Sequence, residues 1–320
     1  MKRVLILICI WMTACASSPT PLPVPAPQAV PTLTRSPITT DRTPPSTPIL
    51  TNTPSIRFSA SPSVTSSATR PASPAIKITS IDPADWKAWP VIPEVDPSIR
   101  ALYEYGQSLG NDPHAFSIFG DCQSRPDAFL GVFETDPDAV KNLSPELQEV
   151  VVNFSDSLNR ESPTSQDGTT PGALLWDQWH RGEYGCTFDE TPVQCELRIH
   201  RPSFVLIQIG THFESRNTEY LRKIITQLID AGVVPILATK ADNRELDDRI
   251  NRDMALLASE YDLPLWNFWA ALSDLPDRGL YVMEGREQQG AIYLNEEAST
   301  RHRMTGLEAL DVVWRVATGK

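Results

Sequence analysis

Short apolar runs alternate with amphipathic helix patterns through most of this sequence after residue 96. Apolar runs of four to eight residues bounded by turn formers are typical of buried strands, and apolar residues at helical spacing are typical of surface helices. Strands that alternate with helices predict an α/β fold, a three-layer α/β/α sandwich with a mostly parallel sheet. The predicted strands are 116–119, 204–209, 233–238 and 264–268, and the predicted helices are 97–109, 218–231, 244–261 and 305–318.

Two of the predicted strands end in a glycine that polar residues follow. The first strand continues into Gly120-Asp121-Cys122, and the second continues into Gly210-Thr211-His212. Ligand sites in open parallel sheets lie at the carboxyl ends of the strands. We therefore expect the functional site of the domain where these two segments meet.

The N-terminus has the pattern of an export signal. A short basic start, an apolar run up to residue 12 and small residues precede Cys15. The pattern resembles a bacterial lipoprotein signal, which implies a signal peptide over residues 1–15, lipid attachment at Cys15 and a lipid-anchored position in the cell envelope. An ordinary secretory signal with a chance cysteine and a short membrane anchor are the alternatives, although the run is too short to span comfortably as a helix.

Residues 16–76 differ in composition from the rest of the chain. They contain 14 of the 29 prolines, together with many Thr, Ser and Ala residues and scarcely any aromatic residue. Such a composition cannot bury enough apolar surface to offset the entropy of ordering the backbone. We predict a disordered, extended tether that holds a domain of residues 77–320 away from the membrane.

The predicted domain is strongly acidic. Residues 1–76 carry six basic side chains and one acidic side chain, so the net charge of −12 for the whole chain leaves about −17 on residues 77–320. Phosphate backbones repel a domain with this charge. We therefore expect no nucleic-acid partner.

Three cysteines lie in the predicted domain. Cys186 and Cys195 flank a short, turn-rich segment, which suits a disulfide-closed loop in an oxidising compartment. Zinc binding is the alternative, but neither cysteine has a C-x-x-C partner. Cys122 is left as an unpaired thiol.

The segments 116–122 (FSIFGDC) and 205–212 (VLIQIGTH), with the order of elements after them, resemble the SGNH (GDSL) hydrolases. The resemblance runs from residue 116 to residue 310. It implies a flavodoxin-like, three-layer α/β fold that esterases, lipases and carbohydrate deacetylases share. In this family the residue after Gly-Asp is the serine nucleophile, and Cys122 occupies that position here.

The resemblance also implies an oxyanion hole beside Cys122. Its best match for the family's second amide donor is Gly168, with Gly172 as the second choice, and an isolated turn glycine is the alternative interpretation. His212 stands where the family has an asparagine, and an imidazole could donate one hydrogen bond in its place. A cysteine at the start of a helix has its thiolate favoured by the helix dipole, whereas a structural cysteine is the alternative.

The general base of the family is the histidine of an Asp-x-x-His motif before the last helix. In one alignment His302 is the base and Ser299 stands in the aspartate position. In the other alignment, Glu284-Gly285-Arg286-Glu287 matches the motif, so that Glu284 replaces the aspartate and Glu287 the histidine. Both alignments stay open on the sequence.

Several catalytic positions of the family therefore hold other residues. Since the members of a triad act as a unit, losing one costs several orders of magnitude in rate. The sequence predicts a surface-tethered SGNH-like lipoprotein with weak, atypical or absent esterase activity. The alternative is an active cysteine esterase or deacetylase that acts on envelope or extracellular glycans.

The ligand of such a protein would be a glycan or an acyl ester. Trp176, Trp179 and Tyr184 lie near the predicted oxyanion loop and could stack on sugar rings, or they could form a hydrophobic clasp around the disulfide loop. The sequence has no nucleotide-binding or metal-binding motif, and we expect neither a cofactor nor a metal.

Overall fold

A computed structural model of the chain describes residues 82–320 and confirms the α/β class. Its main sheet has four parallel strands in the order β1-β2-β3-β4. The strands are β1 (Asp112–Gly120), β2 (Pro202–Gln208), β3 (Val234–Ala238) and β4 (Leu265–Trp266). The helices are α1 (Ile99–Leu109), α2 (Val132–Thr135), α3 (Pro137–Lys141), α4 (Pro145–Asn153), α5 (Pro192–Ile199), α6 (Asn217–Asp230), α7 (Arg249–Tyr261), α8 (Phe268–Ala271) and α9 (Glu296–Thr318).

The sheet lies inside the domain. Every residue of β2 and β3 is buried, as expected for parallel strands that are covered on both faces. Phe119 pairs with Ile207, and Leu206 pairs with Ile236. The predicted strand 264–268 is shorter than expected, because Asn267 ends the two-residue β4 and caps α8, which begins at Phe268.

The helices form two groups, and the members of each group contact one another. Helices α1, α4 and α8 contact α9, and α6 contacts both α7 and β3. The aromatic side chains of Trp266, Trp314 and Phe154 are almost completely buried among these elements. Burial of one such side chain stabilises the fold by roughly 1.5–3 kcal/mol, and many equally buried aliphatic side chains add to this core.

The last helix begins earlier than the sequence predicts. It starts at Glu296 rather than at residue 305, because the Asn295 side chain accepts a hydrogen bond from the Ala298 backbone N–H at 2.9 Å and caps the helix. Ala298, His302 and Leu310 then lie at helical spacing on its buried face. The prediction of a helix from residue 305 therefore missed two turns, and His302 lies inside the helix.

Two smaller features complete the fold. Cys186 and Cys195 form a disulfide, which confirms that prediction. An antiparallel hairpin of β5 (Leu280–Tyr281) and β6 (Tyr293–Leu294), which the sequence analysis did not predict, precedes α9. We call the residues 282–292 between these two strands the hairpin loop.

The N-terminal predictions concern residues that precede the described part of the chain. The signal peptide of residues 1–15, Cys15 and the tether of residues 16–76 lie outside the described residues. Within residues 82–320, no helix is both long enough and apolar enough to cross a membrane.

Candidate functional site

The polar segments after β1, β2 and β3 meet at the carboxyl end of the sheet, where the sequence predicts a site. We call the residues 120–124, 164–172, 210–214 and 240–245 the strand-end site. Gly120 begins it, and a Cβ atom at this position would lie 2.3 Å from the Ser124 side chain and 2.7 Å from the Gln208 carbonyl oxygen. The chain therefore turns from β1 into Asp121 only with glycine at this position.

Asp121 is the centre of the strand-end site. Its carboxylate is 2 % exposed, and Oδ2 accepts hydrogen bonds from the backbone N–H groups of Thr211 at 3.1 Å and His212 at 3.4 Å. Its Oδ1 accepts a third from the Gln123 N–H at 3.5 Å. Burial and the nearby charge of Asp242 raise the pKa of Asp121 to about 7. Asp121 thus joins the β1 and β2 segments, and with this pKa its protonated and ionised forms are about equally populated at pH 7.

A second carboxylate, Asp242, connects the segment after β3 to this centre. Its Oδ2 accepts a hydrogen bond from the Thr211 hydroxyl at 2.7 Å, and its Oδ1 lies 2.8 Å from Lys240 Nζ. Lys240 is itself buried and lies 2.5 Å from Glu245 Oε2. Arg244 donates from its guanidinium to the Thr211 carbonyl at 3.0 Å. These charges are paired and hydrogen-bonded, which offsets the cost of their burial.

Cys122 follows Asp121 and is half-buried, with Sγ 4.0 Å from Asp121 Oδ1. Burial raises the pKa of its thiol to about 12, and the negative charges of Asp121, Asp167 and Asp242 act in the same direction. The sequence analysis expected a helix dipole to favour the thiolate. That expectation is wrong, because the helix that starts here is a single 3-10 turn, Cys122–Ser124, and three carboxylates surround it.

His302 does not lie beside Cys122. The imidazole is completely buried on α9, and its Nε2 lies 2.6 Å from Gln208 Oε1. Because an amide oxygen only accepts, the Nε2–H group of His302 is the donor of this hydrogen bond. The other nitrogen, Nδ1, has no hydrogen-bond partner, so neither ring nitrogen contacts the Cys122 thiol.

Three aromatic rings enclose His302, and we call them the aromatic cage. Their centroids lie 4.1 Å (Phe129), 4.5 Å (Phe268) and 5.4 Å (Trp266) from the imidazole centroid. Burial lowers the pKa of His302 to about 3, and the positive charge of Arg303 acts in the same direction. The structure thus contradicts the alignment that makes His302 the general base. Ser299, its expected partner in that alignment, donates instead to the Leu294 carbonyl.

The alternative alignment also lacks a base in contact with Cys122. Glu284 and Glu287 both lie exposed in the hairpin loop. Hydrogen bonds from the backbone N–H groups of Glu287 itself and Gly285 lower the pKa of the Glu287 carboxyl, and Oε1 lies 2.8 Å from the Gly285 nitrogen. A solvated carboxylate with a lowered pKa is a poor proton acceptor.

The segment that contains Gly168 forms one side of the strand-end site. It runs beside the end of β1, where the Gly120 N–H donates to the Thr164 carbonyl at 2.9 Å. Gly168 has a positive φ of 79° and open space on its Cβ side. The second choice, Gly172, donates its N–H to the Glu214 carboxylate at 2.6 Å, so this amide is already occupied.

His212 is half-buried in the strand-end site. Burial and the charge of Arg244 lower the pKa of its imidazole, so His212 is neutral at pH 7 and can both donate and accept a hydrogen bond. The charge of Asp167 acts on both His212 and Cys122. The structure therefore brings Cys122, His212 and the Gly168 segment together around Asp121, and it leaves His302 and Glu287 out.

Asp121, Asp242, Lys240 and Gln208 were not predicted from the sequence as site residues. Asp242 and Lys240 follow β3 in the same way that Asp121 follows β1, so the strand-end argument could have found them. Gln208 is the last residue of β2 and is 3 % exposed. Its contact with His302 joins residues 94 positions apart, and no local pattern signals it.

The described residues form no metal cluster at this site, and a groove lies outside it. Among residues 82–320, no group of three or more His, Cys, Asp or Glu side chains is arranged to hold a metal ion. A groove of about 400 Å³ lies elsewhere, between the 3-10 helix Pro83–Ala88 and the start of α7. Its walls carry Lys87, Asp248 and Arg252, and none of them belongs to the strand-end site.

No protein-family model and no curated protein sequence matches this chain.

Proposed function

We propose that this chain is an exported, lipid-anchored protein whose three-layer domain is a divergent relative of the SGNH hydrolases and binds its ligand without efficient ester hydrolysis. One observation carries the proposal, namely that the His302 imidazole faces Gln208 and the aromatic cage rather than Cys122. Acyl transfer by a thiol needs a base within hydrogen-bond reach of the nucleophile. The described contact of the Cys122 thiol is with Asp121 Oδ1, at a long 4.0 Å, and no described hydrogen bond joins this thiol to a histidine ring.

The protonation states support the same conclusion. At neutral pH a thiol with a pKa of about 12 is almost entirely protonated, so Cys122 is a weak nucleophile. A histidine with a pKa of about 3 is a weak base even where it does reach a thiol. Both side chains would need large changes in their surroundings before they could act as a catalytic pair.

The hydrogen bonds of the strand-end site favour a binding role. Asp121 holds the backbones of Thr211 and His212 in place, and Asp242 holds the Thr211 hydroxyl. These bonds keep a neutral imidazole in a defined position, and bonds from Gly120 to Thr164 and from Ser165 to Ser124 hold the Gly168 segment beside it. Trp176 is 55 % exposed just beyond this segment, and an exposed indole is a suitable platform for a sugar ring. A glycan is therefore the ligand class that we propose.

An esterase assay tests the absence of hydrolysis. The protein, expressed as residues 16–320, would be compared with Cys122→Ala and Cys122→Ser on p-nitrophenyl acetate and butyrate. We expect the same background rate for all three proteins. Turnover by the unmodified protein that disappears in Cys122→Ala would show the alternative function, a cysteine esterase, and would overturn the proposal.

A binding assay tests the glycan ligand. We expect residues 16–320 to bind insoluble cell-wall glycan or N-acetylglucosamine oligomers, with Cys122→Ala binding equally and Trp176→Ala binding about tenfold more weakly, since stacked aromatic rings dominate such contacts. Tyr105→Ala is the matched control, because Tyr105 is 48 % exposed on α1, which leads into the opposite end of β1. Absence of binding, or equal losses in the Trp176 and Tyr105 variants, would contradict the glycan proposal.

The lipid anchor needs its own test. In a bacterial host, the full chain should label with an alkyne fatty acid and sediment with membranes, and Cys15→Ser should lose both properties. Labelling that persists in Cys15→Ser would exclude lipid attachment at this residue.

A further inference from the structure

Apart from the buried Ile292, the hairpin loop has few contacts with the rest of the domain. Most of its residues are exposed, including Glu284, Arg286 and Glu287. Gly285 and Gly290 both have a φ of 76°, and a Cβ atom at either position would meet nothing within 4 Å. The loop therefore projects into open space at both glycines.

The hydrogen bonds of the hairpin loop are mostly internal. The Arg286 N–H donates to the Met283 carbonyl, and the Gln289 N–H donates to the Arg286 carbonyl. The Tyr293 hydroxyl bonds to the Gln289 side chain within the same hairpin. One described hydrogen bond connects residues 282–292 to the body of the domain, and it runs from Gln123 Nε2 to the Ile292 carbonyl at 2.6 Å.

Gln123 is a residue of the strand-end site. It follows Cys122 directly, and its backbone N–H donates to Asp121 Oδ1. Its side chain is 9 % exposed, and Ile292 is 1 % exposed, so this bond is shielded from water. A buried hydrogen bond does not compete with solvent and holds its partners more firmly than an exposed one.

We propose that the hairpin loop is a lid beside Cys122 and that Gln123 is the latch that holds it closed. When the bond between Gln123 and Ile292 breaks, the loop swings outward on the β5–β6 hairpin, and its own exposed turn hydrogen bonds open more often. Ligands then reach the strand-end site through the space that the loop vacates. This proposal is independent of whether the site hydrolyses an ester, because it concerns access alone.

Hydrogen exchange of the hairpin loop tests the latch in residues 16–320. Loss of one hydrogen bond corresponds to about a three- to tenfold change in an opening equilibrium, so Gln123→Ala should accelerate exchange of the 283–292 amides by that factor. Gln123→Met, which keeps the length of the side chain without an N–H donor, should have the same effect. Exchange at the unmodified rate in Gln123→Met would overturn the hydrogen-bond latch.

A matched control distinguishes the latch from general destabilisation. Gln148 makes the same kind of bond elsewhere, from Nε2 to the Leu143 carbonyl at 3.0 Å beside α4. Gln148→Ala should leave exchange of the hairpin loop unchanged. If Gln148→Ala accelerates it as much as Gln123→Ala does, the loop opens by general loosening of the domain and the proposal fails.

The reactivity of Cys122 tests access to the site. Cys122 is the unpaired cysteine of residues 82–320, and no other unpaired cysteine is present in residues 16–320. A maleimide should label Gln123→Ala and Gln123→Met at pH 8 about three- to tenfold faster than the unmodified protein. Faster loop exchange with unchanged labelling would show that the loop moves without controlling access, and would overturn its role as a lid.

Discussion

The strand-end site and the aromatic cage both bury titratable side chains, but they offset the cost of burial differently. Around Asp121, carboxylates accept hydrogen bonds from backbone N–H groups and pair with Lys240. Around His302, the side chain is neutral, and three aromatic rings with one amide surround it. Gln208 links the two regions, because its Oε1 lies 2.6 Å from His302 Nε2 and accepts a hydrogen bond from the Ser124 hydroxyl at 3.1 Å. No described hydrogen bond joins His302 to Cys122 itself, and the proposal of a binding role rests on this separation.

The largest effect that we expect from a single substitution concerns the aromatic cage. His302→Ala leaves a cavity among Phe129, Trp266 and Phe268 and removes one of the two described partners of Gln208 Oε1, so the free energy of unfolding should fall by about 4 kcal/mol. Urea unfolding measures this change. His114→Ala, at an exposed histidine, is the control and should cost less than about 1 kcal/mol. Equal losses of unfolding free energy in the two variants would show that the aromatic cage does not stabilise the fold more than an exposed histidine does.

Acid should weaken the protein through the same histidine. The pKa of His302 is about 3 in the fold and about 6.5 in the unfolded chain, so the unfolded state takes up a proton first as the pH falls below 6.5. The stability that His302 contributes is complete above pH 6.5 and is lost progressively toward pH 3. At pH 4.5 the loss should be about 3 kcal/mol, at about 1.4 kcal/mol per pH unit.

Unfolding measured across this pH range in the unmodified protein and in His302→Gln checks the assignment. The variant should lose most of the decline between pH 6.5 and 4.5. A decline of the same size in His302→Gln would assign acid sensitivity to other groups.

The thiol of the strand-end site should react slowly. With a pKa of about 12, Cys122 has about a thousandfold less thiolate at pH 8 than an ordinary cysteine, and the greater nucleophilicity of a more basic thiolate recovers part of this difference. Alkylation by iodoacetamide should therefore be roughly 30-fold slower than in the urea-unfolded protein. A reaction in the folded protein that is faster than in the unfolded one would indicate an activated thiol and would erase the contrast between the two regions.

The smallest effect that we expect is on the stability that Asp121 contributes. This contribution falls as the pH rises, whereas that of His302 falls as the pH drops. The pKa of Asp121 is raised to about 7, so its contribution to stability is complete below about pH 4 and is lost as the pH rises toward 7. Between pH 6 and pH 8 this loss should be about 1.4 kcal/mol. Asp121→Asn cannot ionise and should remove that slope, while His302→Gln should retain it. A slope that is unchanged in Asp121→Asn would show that burial of this carboxyl does not govern stability in this range.

Much of the fold could be predicted because its signals are local. The periodicity of 218–231 predicts a helix, and α6 covers Asn217–Asp230. The runs at 204–209 and 233–238 predict strands, and β2 and β3 lie there. The position of the disulfide between Cys186 and Cys195 was also predictable, because the short segment between them can close into a loop.

The candidate site was predictable only in part. Strand ends placed Asp121, Cys122 and His212 in one region, because parallel strands share the edge at which they end. The pairing of Cys122 with a distant base was not predictable, because it depends on which face of α9 points into the core. The cap at Asn295 sets the start of that helix, and the sequence analysis had overlooked it.

The sequence alone determined the alternation of strands and helices, the burial of β2 and β3, and the glycine that Asp121 needs before it. These properties depend on neighbouring residues and on the spacing of apolar side chains. Only the tertiary structure decided that His302 faces Gln208, that Asp242 and Lys240 join the Asp121 network, and that Gln123 holds the hairpin loop. Each of these contacts joins segments that are far apart in the chain, and the packing of the whole domain selects the partner.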